Sequence, residues 1–372
     1  MQQAERAIFD LRRGQPLLIG DDATGIICLA AEDLTDAGLA RLRRIAPNSA
    51  AGLVVTPNRA RALDLAADPT VALHIDLRAD ATPTAIRALA DATRDAAPPE
   101  RAQTRPADAA EAGAVNLARA ARLLPAVITL RPTAADAEAV AGLERDGTLL
   151  RITPADAGAV PSAPQLEPIP VTDARIPLAD ADTTRFVLFR ETNGLHEHIA
   201  VLIGEPGNWP DPVPVRLHSA CLTGDLFGSL RCDCGEQLRN SVRTIDAAGG
   251  GVLLYLAQEG RGIGLANKLR AYNLQDNGMD TLEANCCLGF SADERHYDAA
   301  VSMLQHLDIH RVSLLTNNPL KVEALEVGGI QVVARESLHG SLNPHNVRYL
   351  STKSERSGHW LDDLLDRALP DD

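Results

Sequence analysis

Residues 215–238 read VRLHSACLTGDLFGSLRCDCGEQL, and the cysteines in this stretch set the frame for everything around it. Cys221, Cys232 and Cys234 are spaced C-x10-C-x-C and account for three of the six cysteines in 372 residues. Gly224, Gly228 and Gly235, the charged Asp225, Arg231 and Asp233, and the donors Ser219, Thr223 and Ser229 lie among them. A core strand does not carry so many polar groups. Three thiolates suit Zn²⁺, and three protein ligands leave a fourth position for water, as in a catalytic site. Zinc there brings the pKa of bound water to about 7. Two plainer readings stay open on spacing alone: a redox pair, or three small buried apolar residues. Cys232 and Cys234 form C-x-C rather than the redox C-x-x-C. A turn between Gly224 and Gly228 would fold Cys221 back onto them.

Outward from this stretch, strands alternate with helices. FVLFRE and HEHIAVLIG precede it as strands. SVRTIDAAGGGVLLYL follows as a helix closed by glycines 249–251 and then a buried strand. SADERHYDAAVSMLQHL reads as a helix with Ser291 as N-cap and acids in its first turn. VSLLT, NPLKVEALEVGGI and QVVARES read as strand, helix and strand. Before residue 170, PLLIG, GIICLA, AGLVVTP and VALHIDL read as strands. LTDAGLARLRRIA is an amphipathic helix with Thr35 near its N-cap, and AVNLARAARLLPAVITL is a helix running into a strand. Asp91 to Ala112, rich in Ala, Pro and charge, reads as a loop. The pattern gives α/β or α+β domains. We expect residues 1–157 as one domain, 158–175 as a Pro-rich linker and 176–372 as the second domain.

Composition narrows the function. The hydrophobic fraction of 45% supports proper cores, which lean on aliphatic residues because aromatics are only 3%. A net charge of −14 argues against a nucleic-acid binder, though Arg and Lys can still converge locally on a triphosphate. No apolar signal follows Met1, and no run of about 18 uncharged apolar residues offers a membrane span. The reducing cytoplasm is the natural compartment for metal-binding thiols.

The remaining motifs are weaker alone. QEGRGIGL (258–265) sits between a strand and a helix, where backbone N–H groups could approach phosphate, yet it lacks the G-x-G-x-x-G and Walker spacings. Glu259 could accept from guanine N1–H and the 2-amino group, and Arg261 is a natural phosphate donor. Asp293, Arg295 and Lys321 could equally be solvated surface charges. Cys28 reads as core and His74 as a satisfied strand histidine. Cys286 and Cys287 read as small core or lining residues.

RLHS-x-CLTGDLFGSLRCDCGEQL resembles the zinc signature of GTP cyclohydrolase II, an enzyme of riboflavin biosynthesis. YLAQEGRGIGLANKLRAYNLQD, DTLEANCCLGFSADER and LLTNNPLKVEAL resemble the rest of that family in the same order, from roughly Arg185 to Leu361. The resemblance implies Cys221, Cys232 and Cys234 as zinc ligands. It implies Arg216, Gln237, Glu259, Arg261, Thr281, Thr316 and Lys321 as GTP contacts, with Ser219 and Gly260 beside them. It implies Asp293 as proton acceptor, Arg295 as nucleophile or α-phosphate group, and Tyr272 as the residue that completes ring opening. GTP with Mg²⁺ on its phosphates would be the substrate, a homodimer the common assembly, and formate, pyrophosphate and a diaminopyrimidine nucleotide the products. One departure is Ala220, where the family usually has Glu. It raises the alternative of a divergent homologue that releases only pyrophosphate or acts on another nucleotide. A non-enzymatic zinc module is the third reading, against which Tyr272, Asp293 and Arg295 argue.

The first domain resembles 3,4-dihydroxy-2-butanone 4-phosphate synthase through AIFDLRRGQPLLIGDD and EAGAVNLARAARLLPAVI. The acidic run expected after Asp21 and Asp22 is replaced by ATGIICL, and the essential His of that family falls at Ala109. The resemblance therefore implies a catalytically dead domain kept for assembly or stability.

Overall fold

The computed structural model describes residues 2–22, 25–65, 68–95, 102–160 and 167–347, together with Ser351, Ser354, Arg356 and Trp360. In chain order the elements are α1 (Gln2–Arg12), β1 (Leu17–Ile19), β2 (Ile26–Ala30), α2 (Asp36–Ile45), β3 (Ala51–Val55), α3 (Pro57–Ala62), β4 (Leu73–Asp76), α4 (Pro83–Ala90), β5 (Thr104–Pro106), α5 (Ala109–Ala120), β6 (Ala126–Leu130), α6 (Ala137–Arg145), β7 (Leu150–Ile152) and α7 (Pro154–Ala159). They continue with β8 (Pro168–Arg175), β9 (Thr184–Glu191), β10 (Glu197–Ile203), β11 (Val213–Ser219), α8 (Leu222–Asp225), α9 (Cys234–Ala247), β12 (Gly251–Leu256), α10 (Leu265–Asp276), α11 (Thr281–Cys287), α12 (Asp298–His306), β13 (Arg311–Leu315), α13 (Pro319–Val327) and β14 (Gln331–Glu336). The expected α/β class, with two sheets, is what the chain forms.

The chain divides into two compact units, Met1–Ala163 with Ile263–Glu294, and Pro164–Gly262 with Arg295–Asp372. This division departs from the expected cut at 157–176 in two ways. First, Pro168–Arg175 is not linker but an edge strand paired antiparallel with β9. An edge is the one place in a sheet where Pro168 and Pro170 are tolerated, because a proline cannot donate to the ladder. Residues 161–166 lie outside the described residues. Second, residues 263–294, expected inside the second domain, belong to the first unit.

The first unit is built on a seven-stranded sheet in the order β5-β4-β3-β6-β2-β1-β7. Its pairs are antiparallel except β1 with β7. Leu18, Ile27, Leu53, Ile75 and Ile128 form the core of one face, with Leu39 and Leu42 of α2 and Ile86 of α4. Thr35 caps α2 as expected, accepting from Gly38 N–H at 3.1 Å. Cys28 is buried and its thiol is pushed up to about 12 by that burial. The Asp91–Ala112 stretch is not all loop: β5 pairs with β4, and Asp108 opens α5 with a capping box to Glu111. Residues 96–101 lie outside the described residues. His74 is a satisfied strand histidine, held 2.9 Å from Glu111 and 3.2 Å from Asp76. Burial works against ionisation of Glu111. Hydrogen bonds from His74 and Arg105 outweigh it and hold the carboxyl well below the usual range.

The second unit has the order β14-β13-β11-β12-β10-β9-β8. β14, β13, β11 and β12 run parallel, while β10, β9 and β8 continue antiparallel. Phe189, Leu202, Leu217, Leu254 and Leu314 pack on one face with Met303 and Leu304 of α12. Ile203, Val242, Ile245 and Leu253 fill the other, under α9. The turns after parallel strands all emerge at one end of such a sheet, where α/β proteins place their ligands.

The helix expected from Ser291 begins only at Asp298, with Tyr297 at its N-cap position. Ser291 does not cap it; its N–H instead donates to the Glu294 carboxylate at 2.6 Å. SADERH offers no apolar residue at helical spacing, so nothing holds those residues on a core until Tyr297. Asp293 and Arg295 therefore stand in an irregular stretch.

Candidate active site and metal centre

The metal centre grows from the end of β11. After Ser219 the chain turns at Cys221 into the single turn α8, and it returns at Cys232 to enter α9 at Cys234. The three Sγ atoms lie within 4.8 Å of one another. Cys221 and Cys232 Sγ are 3.7 Å apart. Tetrahedral thiolates at about 2.3 Å from Zn²⁺ stand about 3.8 Å from one another, so this spacing fits zinc. Among the described residues it is the one group of three or more His, Cys, Asp or Glu side chains placed to hold a metal. Without a cation, Cys232 and Cys234 are biased toward the protonated thiol. Hydrogen bonding with Cys221 pushes Cys232 up to about 11, and Cys221 and Cys232 push Cys234 up as well. A cation must displace those protons, so affinity rises with pH.

Two glycines make the approach possible. A Cβ on Gly224 would stand 2.8 Å from Cys232 Sγ and 3.1 Å from Cys221 Sγ, and one on Gly235 would stand 2.2 Å from the Gly224 carbonyl oxygen. Only bare backbone lets α8 sit against the start of α9.

Behind the ligands is a buried polar cluster that single-sequence reading missed. The Asp225 carboxylate accepts from Cys221 N–H at 2.9 Å and from Tyr255 O–H at 2.9 Å, and pairs with His218 Nε2 at 3.1 Å. His218 and Tyr255 are register partners on β11 and β12, and their rings stack at 5.5 Å. Burial pushes the His218 imidazole down, against the opposing pull of Asp225. Such partners fix metal ligands and usually matter about 10–100-fold in affinity. We expect Asp225→Asn to weaken zinc retention by roughly that factor, read by competition with a chromogenic chelator, with the sheet intact by circular dichroism.

Buried cations converge at the same strand ends. Arg216, 5% exposed, donates to the Leu315 carbonyl at 2.7 Å and to Gln237 Oε1 at 2.6 Å. Among the described residues its Nε has no partner, and neither has Nδ2 of buried Asn318. Buried donors left open in this way are rare in folded proteins and point to a ligand. Burial lowers Arg216 to about 10, still fully charged at neutral pH. Lys321 is buried, with Nζ donating to the Leu217 carbonyl at 2.7 Å and lying 5.8 Å from the Tyr297 ring. Thr316 is buried and accepts from Asn318 N–H at 3.0 Å, and Ser219 donates to Gln258 at 3.3 Å.

After β12 the chain turns sharply through Glu259–Gly262. Gly260 at φ 64° and Arg261 at φ 60° both take left-handed backbone. For Arg261 this costs energy, and such strain gathers at functional loops. Glu259 accepts from Leu222 N–H at 2.6 Å and from Gly260 N–H at 2.9 Å, tying this loop to the cysteine loop.

Not every expected residue falls in this unit. Arg216, Ser219, Gln237, Glu259, Gly260, Arg261, Arg295, Thr316, Lys321 and the three cysteines do. Tyr272 on α10, Thr281 at the start of α11 and Asp293 belong to the first unit. There Lys268 Nζ lies 5.7 Å from the Tyr272 ring centroid, and Gln275 donates to Thr281 Oγ1 at 3.3 Å.

The family model of GTP cyclohydrolase II matches residues 170–337. A GTP cyclohydrolase-2 of Azospirillum brasilense is 42% identical over 366 residues, covering 96% of this chain and 94% of its own. One from Xylella fastidiosa strain Temecula1 is 40% identical, covering 97% of this chain and 87% of its own. The chain belongs to the GTP cyclohydrolase II family. It is thus a hydrolase that acts on GTP in the riboflavin pathway. An Azotobacter vinelandii GTP cyclohydrolase-2 is 58% identical over 168 residues, 80% of its own length and 45% of this chain. A crystal structure of a two-domain 3,4-dihydroxy-2-butanone 4-phosphate synthase from A. baumannii, 16% identical, covers 91% of this chain and 99% of its own. Its TM-score is 0.34. Among the described residues no helix is long and apolar enough to cross a membrane.

Proposed function

We propose that this chain is a zinc-dependent GTP cyclohydrolase II yielding 2,5-diamino-6-ribosylamino-4(3H)-pyrimidinone 5′-phosphate, formate and pyrophosphate. The observation that carries the reading is the thiol cluster at zinc spacing, at the strand ends where Arg216 and Lys321 are buried. When bound, zinc supplies a Lewis acid and brings the pKa of its water to about 7. Arg216, Arg261 and Lys321 would hold the triphosphate, with Mg²⁺ arriving on the phosphates as part of the substrate. The open Nε of Arg216 gives one donor with no competing partner among the described residues. Glu259 would accept from the guanine N1–H and 2-amino group, and Ser219, Gln237, Gly260, Thr281 and Thr316 would complete the nucleotide contacts. Arg295, assisted by Asp293, would promote attack at the α-phosphorus and release of pyrophosphate. Tyr272 would carry ring opening through to formate.

Ala220 puts no carboxylate beside Cys221; its backbone N–H donates to the Leu256 carbonyl at 2.8 Å. The test is a time course of the zinc-loaded protein with GTP and Mg²⁺. Formate, pyrophosphate and diaminopyrimidine absorbance are expected to rise in equal amounts. Pyrophosphate alone would replace this reading with the divergent homologue.

We further propose a homodimer in the cytoplasm. Leu226 and Phe227 are 70% and 73% exposed between the metal ligands, and Leu222 and Leu230 stand exposed beside them, an apolar surface that a second copy would cover. None of the six cysteines is in a disulfide, as in a reducing compartment. The first unit is proposed to lack synthase activity, since Ala109 offers no base and Asp21 and Asp22 stand exposed.

A further inference from the structure

The first unit holds residues 263–294 through side-chain hydrogen bonds, an ion pair and a small apolar core. Thr56 Oγ1 donates to the Gly289 carbonyl at 2.8 Å, and Asn58 Nδ2 to the Phe290 carbonyl at 2.7 Å. Arg59, buried and pushed down by that burial, donates to the Cys287 carbonyl at 3.1 Å and to the Leu89 carbonyl at 2.8 Å. Asn267 donates to the Arg122 carbonyl at 2.9 Å, and Arg270 pairs with Glu32 at 2.9 Å. Beneath these bonds lies a small core in which Leu124 packs with Ile263, Leu274, Leu288 and Phe290. The segment anchored in this way carries Tyr272, Thr281 and Asp293, and it joins the second unit covalently at Gly262 and Arg295.

We propose that the first unit, whatever its ancestry, serves as the platform that positions the cyclohydrolase residues Tyr272, Thr281 and Asp293, with Thr56, Asn58 and Arg59 as its positioning residues. The proposal rests on the functional reading above. The carbonyls of Cys287, Gly289 and Phe290 fix the chain three to six residues before Asp293, and Asn285 Nδ2 continues the anchoring to the Ala292 carbonyl at 3.3 Å. Three side-chain donors on the 56–59 turn set their height. A shift of about 1 Å at such a point is enough to cost a reaction up to about 100-fold when it moves a catalytic group.

The test uses the full chain and the double variant Thr56→Val/Asn58→Ala. Thr56 also caps α3, so the control is Thr82→Val, which removes the equivalent cap of α4 without touching 263–294. We expect kcat for formate release to fall about tenfold or more relative to Thr82→Val. Zinc content should stay equal and the unfolding midpoint similar, and Thr56→Ser should retain activity. Amide exchange across 265–294 should accelerate in the double variant and not in the control, a readout independent of turnover. Activity within twofold of the control, or unchanged exchange in that segment, would overturn the platform. If instead the unsubstituted chain released no formate from GTP, the functional reading would fail, and exchange alone would still decide whether the first unit fixes the segment.

Discussion

Replacing Cys232 with serine is expected to remove zinc from the protein and to lower formate release from GTP about 1,000-fold. Serine at neutral pH is a poor zinc ligand, and two thiolates do not hold a tetrahedral site closed on three sides. The factor follows from losing several kcal/mol of Lewis-acid stabilisation of the transition state, at about 1.4 kcal/mol per decade. Metal analysis should give about one zinc per unsubstituted chain and close to none in Cys232→Ser. The redox reading predicts otherwise: activity would then follow the oxidation state of the thiols and not the metal. Full formate release from a zinc-free Cys232→Ser protein would contradict the metal assignment outright.

The second large effect concerns a residue with no chemistry of its own. Gly224→Ala adds one methyl group, which would stand 2.8 Å from Cys232 Sγ, 3.0 Å from Cys234 Cβ and 3.1 Å from Cys221 Sγ. The neighbours are two ligand sulfurs and the Cβ of the third ligand, which cannot swing away without breaking the cluster. We expect zinc affinity to fall about 100-fold, the upper range for disturbing the immediate support of a metal site. Overpacking should also lower stability by about 1–3 kcal/mol. Gly207→Ala is the control, because nothing lies within 4 Å of a Cβ there, and its effect should stay within about 0.5 kcal/mol. Competitive zinc titration and thermal unfolding of both variants check this. Equal affinities would mean that α8 moves freely and that the cysteines do not form one site.

What could be read from the sequence was what is local in sequence. The three cysteines sit within fourteen positions, and the turn that unites them runs through glycines in the same stretch, so their cluster was legible before any fold was known. The alternation of strands and helices was legible for the same reason. Asp225 was visible only as a charge. Its role depends on His218 and Tyr255 being paired across β11 and β12, thirty-seven residues apart in the chain, and register between parallel strands is not written in either strand alone. The placement of residues 263–294 was also hidden. An apolar helix face announces that it will be buried and not which core will bury it. Its anchors, Thr56, Asn58 and Arg59, lie more than two hundred residues earlier. The misplaced start of α12 has a simpler cause: Ser291 followed by acids is a fair capping signal, but the residues after it carry no apolar face to hold a helix down.

The most direct test of zinc-dependent ring opening at the cysteine cluster follows the C8 carbon of GTP. The full chain is stripped with chelator, incubated with GTP labelled at C8 and Mg²⁺, and sampled for labelled formate before and after one equivalent of Zn²⁺ is returned. We predict no labelled formate without zinc and sustained release once zinc is restored, in step with pyrophosphate. Labelled formate released at the full rate by the stripped protein, or none released after zinc is bound, would contradict it.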